Sequence, residues 1–328
     1  MNKFLAILFL LVAPMVMQAQ EMKPVRVIFD TDMGPDFDDV GAIALLHAFA
    51  DSGKAEILAT VASTGYEGVS AVISALNTYF NRPRVPVGVP KVKAVMLKDI
   101  QHWTDTVLEK YPHRINRNDE TQNAIDVYRK VLAEQPDTSV TIVTVGFLTN
   151  IADLLKSPAD NYSPLTGKEL VKKKVKRMVS MAGRFPSGQE FNIDEDAKAA
   201  QYAFSNFPRP IIYSGFEIGN AVKTGLPLIH NESIQNSPVK DVFRISLNFR
   251  DEDKEGRQSW DQTAVLVAIN GHEPYYSLEY GTIKVDDDGT NHWTKKGRQQ
   301  ARLVQKAPPS VVQDIINRMM MHQPMQRP

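Results

Sequence analysis

Val25-Arg26-Val27-Ile28-Phe29 is a short apolar, β-branched run, the pattern of a strand buried inside a sheet. From Asp39 to Ala50, Val40, Ile43, Leu46 and Phe49 recur at helical spacing. Ile57 to Val61 predicts a second strand, followed by a helix from Val69 to Phe80 that Asn81-Arg82-Pro83 ends. A third short strand is expected before Gly88. Thr121 to Glu134 predicts an amphipathic helix with Ala124, Val127, Val131 and Leu132 toward the core. Val140 to Val145 predicts a strand, and a helix begins over Leu148 to Leu155. Arg177 to Met181 and Pro210 to Tyr213 supply two more strands, with a helix over Ala197 to Phe204 between them. Asn231 to Arg257 is polar and irregular, as a lid or an added helical layer would be. The alternation predicts an α/β fold, an open and mostly parallel sheet with helices on both faces. Ligands of such sheets bind outside the carboxyl ends of the strands.

The 328 residues carry 38 Lys and Arg against 38 Asp and Glu, with 7 His and no Cys. This balance argues against nucleic acid as a partner and against a polybasic membrane-surface protein. A small-molecule ligand fits better. Lys3, the apolar run Phe4 to Ala13 and the small residues before Glu21 read as a signal peptide over residues 1–20. A single domain is expected over 21–328, exported, in a bacterial setting to the periplasm, with no membrane anchor after signal removal. The absence of Cys excludes a disulfide and a lipid anchor on a thiol.

The chemistry concentrates after the first strand, where Asp30, Asp32, Asp36, Asp38 and Asp39 fall within ten residues. Carboxylates packed this closely repel one another unless a cation or protons compensate. Oxygen-rich sites of this kind select hard divalent ions such as Ca2+. An EF-hand loop fails in detail, because Pro35 stands where that loop needs Gly and Gly41 where it needs Glu. A phosphomonoesterase attacking through Asp30-x-Asp32 lacks a clear helper motif later in the chain. His102, beside Trp103 in a polar loop, reads as a solvated surface group rather than an acid for the site. The run Asp286-Asp287-Asp288-Gly289 reads as an exposed turn.

Asp30-Thr31-Asp32-x-Gly34…Asp38-Asp39, followed by an apolar helix, resembles the signature of the inosine–uridine-preferring nucleoside hydrolase family. Three later segments are similar to that family in the same order. They are Val140 to Ala152 with its Gly146-Phe147-Leu148-Thr149-Asn150 turn, Glu190-Phe191-Asn192…Asp196…Ala199-Ala200, and Trp260-Asp261-Gln262-Thr263-Ala264-Val265. Together they span most of the chain.

The resemblance implies a hydrolase of the N-glycosidic bond of ribonucleosides that holds one Ca2+ at the base of its pocket and forms a homo-oligomer in many members. By position, the metal ligands are Asp32, Asp39, Asp261 and the backbone carbonyl of Val145. Asp32 is the general base toward a water made more acidic by the ion, and Asn192 joins it at the reacting centre. Asp38, Glu190 and Asn192 match residues that grip ribose hydroxyls, while Asp30 and Asp36 stand behind them. The first motif carries two extra residues, with Phe37 inserted between Asp36 and Asp38. Trp260 replaces a His that many members place beside the metal-ligand Asp; indole can stack on a base but cannot usefully protonate it. Arg184 replaces an Asn at the ribose and can bind a phosphate, a carboxylate or a neighbouring acid. The lost acid at Trp260 motivates an alternative, a protein of the same fold that binds ribosyl ligands without turnover.

Overall fold

The computed structural model describes residues 23–324, so the expected signal segment lies outside the described residues. Among the described residues thirteen strands occur in chain order: β1 (Val25–Thr31), β2 (Ala55–Ala62), β3 (Val87–Val89), β4 (Gln122–Asn123), β5 (Val140–Thr144), β6 (Val175–Met181), β7 (Ser187–Gly188), β8 (Ile211–Ser214), β9 (Lys223–Thr224), β10 (Arg257–Gln258), β11 (Tyr276–Val285), β12 (Asn291–Thr294) and β13 (Gln300–Gln305). Eleven of them form one sheet in the order β4-β3-β2-β1-β5-β6-β8-β13-β11-β12-β7, and β9 pairs with β10 apart from it. From β4 to β13 the neighbours are parallel; β11, β12 and β7 extend the sheet antiparallel.

Both faces of the parallel part are covered. Val27 and Phe29 enter one core with Val40, Ile43 and Leu46 of the helix Asp38–Asp51 and Val265 of the helix Trp260–Asn270. Ile28, between them on β1, points to the other core, with Val127 and Leu132 of the helix Ala124–Glu134 and Leu154 of the helix Thr149–Lys156. This is the alternation a pleated strand imposes.

The differences from the expected elements have local causes. Gly88 lies inside β3 rather than after it. A Cβ there would come within 2.9 Å of the Ala124 Cα, so the glycine lets a helix approach the strand. The helix expected from Thr121 starts at Ala124, because the Asn123 side chain accepts from the Ile125 N–H at 3.3 Å and caps it there. Trp103 is not in a polar loop; it opens the helix Trp103–Lys110 and is fully buried. The irregular stretch from Asn231 holds the helix Pro238–Ser246, which with Leu226–His230 just before it forms an added helical layer. Asp286 to Thr290 does form a turn, joining β11 to β12.

The chain order places the site. From β1 the sheet grows one way through β2, β3 and β4, and the other way through β5, β6 and β8. The reversal lies between β1 and β5, where a crevice opens at the carboxyl ends of an α/β sheet. The Val145 N–H donates to the Asp30 carbonyl at 2.8 Å, and the Ser63 N–H to the Thr31 carbonyl at 2.8 Å, so three strand ends are tied there. Gly146 permits the approach: a Cβ on it would sit 2.4 Å from the Asp32 backbone nitrogen and 2.5 Å from Ser63 Oγ. Gly146→Ala is therefore expected to cost about 1–3 kcal/mol of stability, read by urea denaturation. An unchanged midpoint would show that the strand ends yield freely.

Candidate active site

At this crevice lies a cavity of about 530 Å3 lined by Asp32, Asp36, Asp38, Asp39, Val145, Arg184, Glu190, Asn192, Trp260 and Asp261. The folded chain thus brings together ten of the eleven site positions expected from sequence. The eleventh, Asp30, sits behind the cavity wall, fully buried. It accepts from the Tyr128 hydroxyl at 2.7 Å and the Asn150 amide at 3.1 Å, and that amide also donates to the Ala62 carbonyl at 2.8 Å. Burial pushes the Asp30 carboxyl up to about 7 against these bonds.

Asp32 follows β1 directly, and Asp38 and Asp39 open the helix Asp38–Asp51, where the helix dipole favours negative charge. Asp261 enters from the first turn of the helix Trp260–Asn270. All four carboxylates are buried. Burial holds Asp32, Asp39 and Asp261 well above the usual carboxylate range, and repulsion from neighbouring carboxylates, Asp36 and Asp38 among them, adds to it. Oxygens of Asp38, Asp39 and Asp261 lie within 4.8 Å of one another. Thr31 Oγ1 donates to one oxygen of Asp39, while the other, Oδ2, is buried without a hydrogen-bond partner. A buried carboxylate oxygen left unpaired is costly unless a cation meets it. The set is all oxygen, anionic and convergent, and it fits a hard divalent ion.

The opposite wall is held by amides. Asn192 Nδ2 donates to the Val145 carbonyl at 2.8 Å and to the Met181 carbonyl at 3.1 Å. Glu190 accepts from the Asn192 N–H at 3.0 Å and the Gly183 N–H at 3.1 Å; burial still raises its carboxyl to about 7. Trp260 donates its indole N–H to the Phe216 carbonyl at 2.9 Å, with the two rings 5.4 Å apart. His102 points elsewhere: it is exposed and meets Asp105 at 3.1 Å.

Sequence reasoning missed Arg257. Its buried guanidinium bonds Asp38 Oδ1 from Nε at 3.3 Å and from Nη2 at 3.2 Å, also bonds Asp36, and lies 3.7 Å from Asp253. It packs over Phe37 at 4.9 Å and Trp260 at 5.0 Å. The signal was only indirect, in that a packed acidic cluster needs positive charge.

The sequence profile of the inosine-uridine preferring nucleoside hydrolase matches residues 27–316. The chain belongs to this family. A pyrimidine-specific ribonucleoside hydrolase, RihA of Shewanella sp. (strain ANA-3), is 27% identical over 231 residues, which is 67% of this chain and 64% of that protein's length. The purine-preferring ribonucleoside hydrolase from Gardnerella vaginalis superposes with a TM-score of 0.71 at 17% identity, over 90% of this chain and 98% of that one. The inosine-uridine preferring nucleoside hydrolase from Bacillus anthracis gives a TM-score of 0.68 at 15% identity, over 90% and 99%. The nucleoside hydrolase family therefore shares this mostly parallel sheet, flanking helices and all.

Proposed function

We propose that the protein hydrolyses the N-glycosidic bond of ribonucleosides in a Ca2+-dependent reaction, giving free base and ribose. The observation that carries this is the convergence of Asp32, Asp38, Asp39 and Asp261 at the reversal point of the sheet, with a buried oxygen of Asp39 unpaired. Asp32, Asp39, Asp261 and the Val145 carbonyl would hold the ion. When bound, Ca2+ would neutralise these carboxylates and make a neighbouring water more acidic. Asp32 would take a proton from the attacking water, whose oxygen bonds to the anomeric carbon as the bond to the base nitrogen breaks; the bonding pair leaves with the base, which takes its proton from solvent. Asp38, Glu190 and Asn192 hold the ribose hydroxyls, and the negative charge of the two carboxylates favours the oxocarbenium-like transition state. The Trp260 indole N–H is engaged by Phe216, so this side chain serves as a stacking wall for the base rather than as its acid. Among the described residues, no histidine lines the cavity.

Base release from a panel of purine and pyrimidine nucleosides, with and without EDTA, tests the proposal. Binding without release on the whole panel would favour the ribosyl-binding alternative that Trp260 motivates.

The cation should also show in stability. Glu190, at about 7 in the fold, lies above its ordinary value of 4.5. A carboxyl raised on folding stabilises the protein below its unfolded pKa, and that stability is lost as pH rises through the folded pKa. Metal-free protein is therefore expected to lose stability between pH 4.5 and 7, by up to about 3 kcal/mol from Glu190 alone. Saturating Ca2+ should restore about 3–4 kcal/mol at pH 8. A melting temperature insensitive to Ca2+ at pH 8 would count against the metal site.

A further inference from the structure

The acidic floor of the cavity gives way to a basic rim. Lys98, Arg184 and Arg250 all line the cavity and are all exposed. Lys98 is paired with Asp105 at 2.6 Å and Arg250 with Glu252 at 3.3 Å. Arg184 is different, because among the described residues its guanidinium makes no ion pair and no hydrogen bond. It lies over the Phe216 ring at 4.0 Å.

Its placement is nevertheless built. The fully buried Asn291 grips its backbone twice, accepting from the Arg184 N–H at 2.8 Å and donating to the Arg184 carbonyl at 2.8 Å. The next residue, Phe185, donates its N–H to Glu217 Oε1 at 2.6 Å. A Cβ on Gly188 would lie 2.6 Å from Arg184 Cδ, so the glycine leaves room for the arginine stem. A guanidinium held on a ring and on a clamped backbone, with its donors unspent, is organised for an anion.

We propose that Arg184 makes this a site for ribosyl ligands that carry a phosphate, with nucleoside 5′-monophosphates preferred over unphosphorylated nucleosides. This rests on the ribosyl-binding role proposed above. The sugar hydroxyls and the anomeric carbon must face the carboxylate floor. A phosphate cannot, since the floor repels it, and the exocyclic 5′ position is the one that can reach outward to the rim. There Arg184 offers a planar fork suited to phosphate oxygens, and Lys98 and Arg250 add positive potential.

Calorimetry on the Ca2+-loaded protein with ribose 5-phosphate and with ribose tests this. The wild type is expected to bind the phosphate about 10- to 100-fold more tightly at low salt, the worth of a charge-assisted pair. In Arg184→Gln that preference should fall to within about twofold, while Arg184→Lys keeps part of it. Equal affinity for the two sugars in the wild type, or a preference untouched in Arg184→Gln, overturns the proposal. The wild-type comparison does not depend on any variant folding. Base release from uridine and uridine 5′-monophosphate, run in parallel, separates the two ideas. An Arg184-dependent phosphate preference without base release upholds this site and removes the hydrolase function. Uridine cleavage without a phosphate preference does the reverse.

Discussion

Asp32→Asn is expected to lower kcat for base release by about a thousandfold, with KM changed far less. The amide keeps the shape of the carboxylate and can no longer accept a proton from water. The same substitution should raise the melting temperature of the metal-free protein. Asp32 is buried beside Asp39, Asp36 and Asp38, whose charges, after burial itself, push its carboxyl up. Replacing it with a neutral group relieves that repulsion. Activity and stability therefore move in opposite directions, which a merely structural lesion does not produce. The measurements are steady-state kinetics on the best nucleoside and thermal melts in EDTA and in Ca2+. A variant that loses activity and also melts lower in EDTA would remove Asp32 from the role of base and leave it as a structural residue.

The parallel half of the sheet was legible because its strands are buried on both faces and read as β-branched, mostly apolar runs such as Val140 to Val145. The antiparallel extension was not. Tyr276 to Val285 alternates buried and exposed residues unevenly, carries Glu279, Gly281 and Lys284, and gives a weak strand signal by itself. It becomes a strand because β13 and β12 offer edges to pair with, a tertiary cause. The site divides the same way. Its acids follow strand ends or open helices, where local pattern and topology point to them. Arg257 comes from β10, far from Asp38 in sequence, and its partners appear only once the chain has folded back. The Arg184 environment was hidden for the same reason: Asn291, which fixes its backbone, lies on β12.

Arg257→Met should destabilise the metal-free protein by about 3–5 kcal/mol at pH 8, the cost of breaking a buried ion pair from one side. Methionine keeps much of the volume between Phe37 and Trp260, so the loss is mainly of charge. Asp38 and Asp253, both almost fully buried, would be left without their cation, and Asp36 would lose its partner. Even beside Arg257, burial holds the Asp38 carboxyl up at about 6. Without the guanidinium it must rise further. A carboxyl raised in the fold gives stability below its unfolded pKa and loses it as pH climbs through the folded value, so protonation at pH 5 should recover much of the deficit. Ca2+ should recover part of it at pH 8 by supplying the missing positive charge nearby. Urea denaturation at pH 5 and pH 8, with and without Ca2+, reads all three effects. A deficit of equal size at both pH values would mean that Arg257 acts through packing, and that Asp38 is held at the ribose side of the cavity by the Asp261 N–H, at 3.3 Å, rather than by charge.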